Sequence, residues 1–247
     1  MSYSDFAFVY DGLMADVDYS ARTEYILKLF KKFGHTPTLL LDLACGTGGF
    51  SKEFAKRGIE VIGVDMSEDM LSVARETSMD ENLDILYLCQ KADELDLYGT
   101  VDGAVCCMDS INHITDKKEL VKAFKRVSLF LEPQKLFIFD VNTVFKHEKI
   151  LGDNTFVLEN ENVYCVWQNE YDKKRKETRI SLDFFTQNGE NYQRSGEEFF
   201  ERAYSDEDLE KMLKSAGFKV EAVFGDMTLK APKEDAERKF FVCRKIK

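Results

Sequence analysis

The sequence predicts an α/β protein: a doubly wound, mostly parallel sheet of seven strands that carries a small antiparallel β insert. Three observations lead there. Between Thr38 and Phe145, short apolar runs alternate with segments of helical periodicity. Those runs are continuously apolar, as expected of parallel strands covered by helices on both faces. From about Thr155 to Phe200 the pattern changes to aromatic and β-branched residues in alternation, such as Ile180, Leu182 and Phe184, which marks antiparallel strands.

The elements follow in chain order. Tyr25, Ile26, Leu29, Phe30 and Phe33 recur at helical spacing up to Gly34, which predicts a helical cap within residues 1–34. Thr38–Ala44 is the first strand; a glycine turn and a short helix ending at Gly58 follow it. Glu60–Val64 is the second strand. Ser67 then N-caps a helix to Ser78, with Glu68 and Asp69 complementing its dipole. Ile85–Cys89, Val101–Met108 and Leu136–Val141 read as three more strands. Asp116 and Glu119 open the helix between the last two, and Pro133 ends it. Asn188-Gly189 joins two alternating runs, a strong hairpin signal. Ser205 caps the last helix, Gly217 ends it, and Phe218–Phe224 and Lys239–Cys243 complete the sheet. The reading is one domain, with a core of 35–150 and 205–247 and a lid-like insert of 151–204. At about fifty residues the insert is too small to fold independently.

Composition narrows the function classes. The 247 residues include 34 Lys and Arg against 45 Asp and Glu, a formal net charge of -11, which argues against binding a phosphate backbone. The insert also holds more acids than bases. Its one basic run, Lys173 to Lys176, is flanked by Glu170, Asp172 and Glu177 and reads as a solvated hairpin tip. Nucleic acid is thus a poor partner. No apolar run approaches the ~20 residues of a membrane helix, and MSYSDFAFVYDGLM lacks a basic region before an apolar one. The expected location is cytoplasmic, away from membranes. The six cysteines form no C-x-x-C pair, and His35, His113 and His147 are scattered, so reduced thiols and no metal are expected.

The chemistry concentrates at strand ends. Asp42, Ala44, Cys45, Gly46, Thr47 and Gly48 follow the first strand, where glycines let bare backbone approach a ligand. Asp65, followed by Met66, ends the second strand, placed to take both hydroxyls of a ribose. Ala92-Asp93 follows the third strand, and Met108-Asp109 ends the fourth. In an open α/β sheet these ends meet at one crevice. A dinucleotide loop needs a third glycine, and Ser51 stands there instead. Asp42 would repel a pyrophosphate and suits an ammonium group.

The pattern Asp42-x-x-x-Gly46-x-Gly48 resembles the class I S-adenosylmethionine (SAM)-dependent methyltransferases, a Rossmann-like fold, over roughly Thr38–Val141. Within them the chain looks most like bacterial small-molecule enzymes with an antiparallel insert before the last helix. Phe6, Ala7, Tyr10 and Asp11 match their N-terminal F-A-x-x-Y-D segment, and Asp109, Ser110 and Asn112 their D-S-x-N segment. Gln134-Lys135 departs from their usual Gly-Gly turn. The resemblance implies SAM as cofactor and S-adenosylhomocysteine (SAH) as product. The glycine loop then passes the methionine part, Asp42 helps hold its amino group, Asp65 binds the ribose, Asp93 meets the adenine amine, and the Met108 backbone closes the far side.

Methyl transfer from a sulfonium requires positioning and exclusion of water. Asp109, His113 and Tyr10 are the candidate catalytic groups for an N or O nucleophile. Tyr19 and Arg202 are candidate substrate contacts, with the N-terminal segment and insert expected to close over the methyl group. A protein or tRNA nucleotide acceptor, a non-catalytic SAM sensor, and a homodimer formed through the insert remain open alternatives at this level.

Overall fold

The structure is a computed structural model that describes residues 17–159 and 163–246. Tyr10 and the rest of the N-terminal F-A-x-x-Y-D match lie outside the described residues. Helix α1 (Tyr19–Lys32) precedes strand β1 (Leu39–Leu43), followed by α2 (Gly49–Lys56), β2 (Glu60–Asp65), α3 (Glu68–Asp80) and β3 (Leu86–Cys89). Next come β4 (Val101–Cys106), the single turn α4 (Ser110–His113), α5 (Lys117–Phe130) and β5 (Leu131–Asn142). Strands β6 (Thr155–Glu159), β7 (Val163–Asp172), β8 (Glu177–Asn188) and β9 (Asn191–Arg202) form the insert; α6 (Asp206–Ser215), β10 (Phe218–Gly225) and β11 (Arg238–Lys245) end the fold.

Seven strands form one sheet in the order β3-β2-β1-β4-β5-β11-β10, and β6 to β9 form a second sheet in sequential order. Only β11 runs against its neighbours, pairing antiparallel with both β5 and β10. The chain leaves β1 toward β2 on one side and returns through β4 on the other, so the crevice opens between the C-terminal ends of β1 and β4.

Continuous apolar strands have two faces to cover, and the side chains divide accordingly. Leu40, Ile138, Phe240 and Val242 pack against Ile26, Leu29 and Phe30 of α1 and Phe54 of α2. Leu41, Phe137, Phe139 and Phe241 face the other way, onto Phe124 and Val127 of α5 and Leu209 and Leu213 of α6. Phe139 and Phe241 stack across the β5–β11 pair with ring centroids 5.1 Å apart. Each such buried ring contributes about 1.5–3 kcal/mol from apolar burial.

Helix entries follow the polar signals in the chain. The side chains of Asp18, Ser67, Asp116 and Ser205 each accept a backbone N–H in the first turn that follows. Two segments differ from the sequence reading. Strand β5 starts at Leu131, straight from α5, and Gln134 at φ +66° takes the turn within it. Lys146–Leu151 forms a π-helical turn that no periodicity announces; its purpose in the fold is to bury His147. All six cysteines are free thiols, and Cys106, Cys107, Cys165 and Cys243 are buried. Among the described residues, no helix is long and apolar enough to cross a membrane.

Gly103 of β4 marks the closest approach of α1 to the sheet. A Cβ there would lie 2.8 Å from Pro37 Cβ and 2.9 Å from Leu40 Cδ1. Gly103→Ala is therefore expected to destabilise the protein by about 1–3 kcal/mol through overpacking. Urea unfolding reads this directly, and an unchanged midpoint would mean that α1 yields without strain.

Candidate active site

The glycine loop is shaped by backbone conformation more than by side chains. Ala44, Gly46 and Gly48 all have positive φ, at 57°, 55° and 78°. A Cβ on Gly46 would meet no protein atom within 4 Å, so its bare face points into the open crevice. Gly48 N-caps α2, presenting the positive end of the helix to the same space. Thr47 is buried and Cys45 half-buried. Tyr19 lies across the start of α2, its ring edge-on to Phe50 at 5.1 Å and against Gly49.

Two acids sit on either side of the loop. Asp42 is sealed beneath it, where Ser51 Oγ donates to its carboxylate at 2.5 Å. Burial pushes the Asp42 pKa up to about 7, and the Asp65 charge adds to that rise. Asp65 stands at the open end of β2, accepting from the Gly46 and Ser67 N–H groups at 2.9 Å each. Met66 beside it is largely exposed. Asp93 follows Ala92 in a short 3-10 turn, 3.6 Å from Lys122 Nζ.

The end of β4 is held by a buried ionic network. Met108 and Asp109 both have positive φ, at 55° and 51°. Their N–H groups donate to the Asp140 carboxylate at 2.8 and 3.0 Å, which holds this unusual turn. Arg238, the first residue of β11, bonds both Asp140 and Asp109, the latter at 2.5 Å. Burial alone raises the Asp109 pKa, but the Arg238 charge, with Lys146 and His113, outweighs it and brings the carboxyl down to about 2.

The insert completes the crevice. Glu201 of β9 is buried, with Oε1 3.6 Å from His113 Nε2, and its Oε2 accepts from Asn142 Nδ2 at 3.3 Å. The half-exposed His113 ring stacks on Phe199 with centroids 5.0 Å apart. Asp109, His113 and Glu201 thus place one side-chain atom each within 4.8 Å of one another. Asn112 fixes this meeting of core and insert, donating to the carbonyls of Asn142 and Arg202 at 3.1 and 2.8 Å. Its Oδ1 accepts the Asn142 N–H at 3.0 Å.

Of the residues singled out from sequence, Asp42, Asp65, Asp93, Asp109 and His113 therefore sit at strand ends around one crevice. Arg202 points elsewhere: its guanidinium pairs with Glu177 at 3.0 Å, and only its carbonyl meets the core. Its neighbour Glu201 takes the inward position. Strand alternation carries that signal, since Glu197, Phe199 and Glu201 share one face. Arg238 and Asp140, the other residues that sequence reasoning passed over, had no local signal.

A family model described as a methyltransferase domain matches residues 40–134. YqeM of Bacillus subtilis (strain 168), which carries a methyltransferase name, is 36% identical over 248 residues, covering 100% of this chain and 98% of that protein. This chain belongs to the class I SAM-dependent methyltransferases. A SAM-dependent methyltransferase structure from Clostridium acetobutylicum ATCC 824 superposes with a TM-score of 0.90 at 32% identity over 99% of both chains. SAM-bound CalS10 from Micromonospora echinaspora, at 17% identity, has the same fold with a TM-score of 0.78 over 99% and 98% of the two chains. The methyltransferase reads as SAM-dependent, and the bare Gly46 face, the α2 N-terminus and the Asp65 carboxylate suit SAM's methionine and ribose parts.

One consequence is measurable without substrate. His147 is fully buried, sharing a hydrogen bond with Thr178 Oγ1 at 2.8 Å, and burial lowers its pKa to about 4. Between pH 6.5 and 4 the unfolded chain protonates this imidazole first, so its contribution to stability falls as pH falls. Asp42 acts with the opposite sign between about 4 and 7, because the folded state takes its proton first. Comparing His147→Gln with the parent isolates the histidine. From pH 7.5 to 5 the parent should lose about 2 kcal/mol more than the variant in urea unfolding. Parallel profiles would mean that His147 is not held neutral.

Proposed function

We propose that this enzyme methylates a nitrogen or oxygen nucleophile of a small molecule, held between the end of β4 and the inner face of the insert. The observation that carries the reading is the position of His113. It is close enough to Asp65 to lower that carboxyl's pKa against burial, and it also stands 3.6 Å from Glu201 of the insert. One histidine therefore lies between the half of the crevice suited to a ribose and the wall supplied by the insert.

SAM, when bound, supplies a sulfonium methyl group that a nucleophile displaces in line. In this reading the Ala44, Cys45, Gly46, Thr47 and Gly48 backbone passes the methionine part, with Asp42 supporting the loop and its ammonium from beneath. Asp65 takes the ribose hydroxyls, Asp93 the adenine amine, and Met66 and Met108 the faces of the ring. Asp109, held ionised by Arg238, keeps a fixed negative charge beside the acceptor. His113, exposed on one side and carboxylate-backed on the other, receives the acceptor's proton. Tyr19 covers the α2 end of the crevice.

The insert supports a small acceptor: it narrows the opening with Phe199 and Glu201, and the acidity of the whole chain disfavours nucleic acid. CalS10, which shares the fold, is an amino pentose methyltransferase.

SAM or SAH at about a hundred times its dissociation constant should stabilise the protein by about 2.7 kcal/mol, seen as a raised Tm, while NAD should not. Asp65→Ala should weaken SAM about tenfold to a hundredfold in calorimetric titration, from loss of charged hydrogen bonds. An unchanged affinity would place the cofactor elsewhere.

A further inference from the structure

We propose that the methyl acceptor is an aliphatic amine, received as its ammonium form on the β9 face made by Glu197, Phe199 and Glu201 beside His113. This rests on the SAM-dependent reading of the same crevice and narrows its acceptor from N or O to N.

The argument starts from strand parity. Residues 197, 199 and 201 alternate onto one face of β9, so two carboxylates flank an aromatic ring on the wall opposite Asp109. Glu201 is backed by Asn142 Nδ2 at 3.3 Å and faces His113. Glu197 is different: its Oε2 is shut off from solvent and has no hydrogen-bond partner. A buried carboxylate oxygen without a donor is costly, and an N–H from a ligand would satisfy it. An ammonium offers three such donors and the matching charge. Phe199, stacked on His113, offers an apolar ring to the carbon skeleton that bears the nitrogen.

The surrounding charges favour the same choice. Asp109, Asp140, Glu197 and Glu201 face this end of the crevice from β4, β5 and β9, against Arg238 and Lys146. Arg238 is spent on Asp109 and Asp140, and Lys146 Nζ donates to Asn142 Oδ1 at 3.0 Å. The buried imidazole of His147, 3.7 Å from Glu201, is neutral. Glu197 and Glu201 are left without a full counter-charge. A hydroxyl acceptor must develop negative charge as it loses its proton, and these carboxylates oppose that. An amine passes only between cationic and neutral forms.

The electron count closes. The ammonium gives one proton to His113 Nε2, and the freed nitrogen lone pair forms the new N–C bond to the methyl. The C–S bond breaks with its electron pair remaining on sulfur. The product leaves as a methylammonium, and His113, exposed on one side, returns its proton to solvent.

The test uses SAH-saturated full-length protein titrated with cyclohexylamine and, separately, with cyclohexanol, followed by NMR line broadening of the probes. The amine should bind at least tenfold tighter than the alcohol. Glu197→Gln, at a half-buried position, should remove most of that preference without changing SAH affinity, and Glu201→Gln should act in the same direction. Equal binding of the two probes, or an undiminished preference in both variants, would overturn the proposal. Failure of SAH to bind the parent protein would overturn the SAM reading and the amine proposal with it, and it would be evident before any probe is added.

Discussion

The buried guanidinium of Arg238 is the contact on which the acceptor side of this enzyme depends. It joins Asp140 at the end of β5 to Asp109 after β4, and Asp140 in turn holds the two left-handed residues Met108 and Asp109 through their N–H groups. Removing one member of such a buried set typically costs about 3–5 kcal/mol, because the remaining charges lose their partner. Its placement has a topological cause. The other strands of the sheet reach the crevice with their last residues, so they deliver it loops. Strand β11 runs the other way and reaches it with its first residue, so a long cation arrives on a rigid element. Lys239, the next residue, reaches Asp206 at the start of α6 and ties that helix to the same corner.

The insert is attached to this corner by few but saturated contacts. Asn112 uses its amide to hold Asn142 of β5 and the Arg202 carbonyl of β9 together, and His147 links the π-helical turn to Thr178 of β8. Buried polar groups with several partners specify one geometry, because any shift leaves a donor or acceptor without one. The second sheet thereby keeps Glu201 facing His113 while its own apolar cluster of Val163, Cys165, Ile180, Leu182 and Phe184 holds its strands in register.

Much of this was legible in the sequence, for identifiable reasons. The parallel core announces itself because strands buried on two faces are continuously apolar, and because Ser67, Asp116 and Ser205 mark helix starts locally. The cofactor half of the site is local too: Asp42 to Gly48 and Asp65 each follow a strand within a few residues. The acceptor half is built across the chain. Arg238 lies 129 residues from Asp109, and Glu201 is separated from His113 by the whole insert. Nothing near Arg238 distinguishes it from any other cation at a strand start. Arg202 drew attention as a charge near the crevice, yet the pleat turns it toward Glu177, and only the register of β9 with β8 decides which of two neighbours faces inward.

The glycines of the first βα turn have a further implication. The ring of Tyr87, hydrogen-bonded through its hydroxyl to Ser78 at 3.0 Å, fills the space beside both Gly48 and Gly63. A Cβ at Gly63 would come within 2.6 Å of that ring. Part of what looks like ligand-directed glycine usage is therefore the footprint of the protein's own tyrosine. In evolutionary terms, positions 63 and 87 form an epistatic pair: a side chain larger than hydrogen at 63 becomes tolerable only in lineages where the aromatic ring at 87 has first been lost.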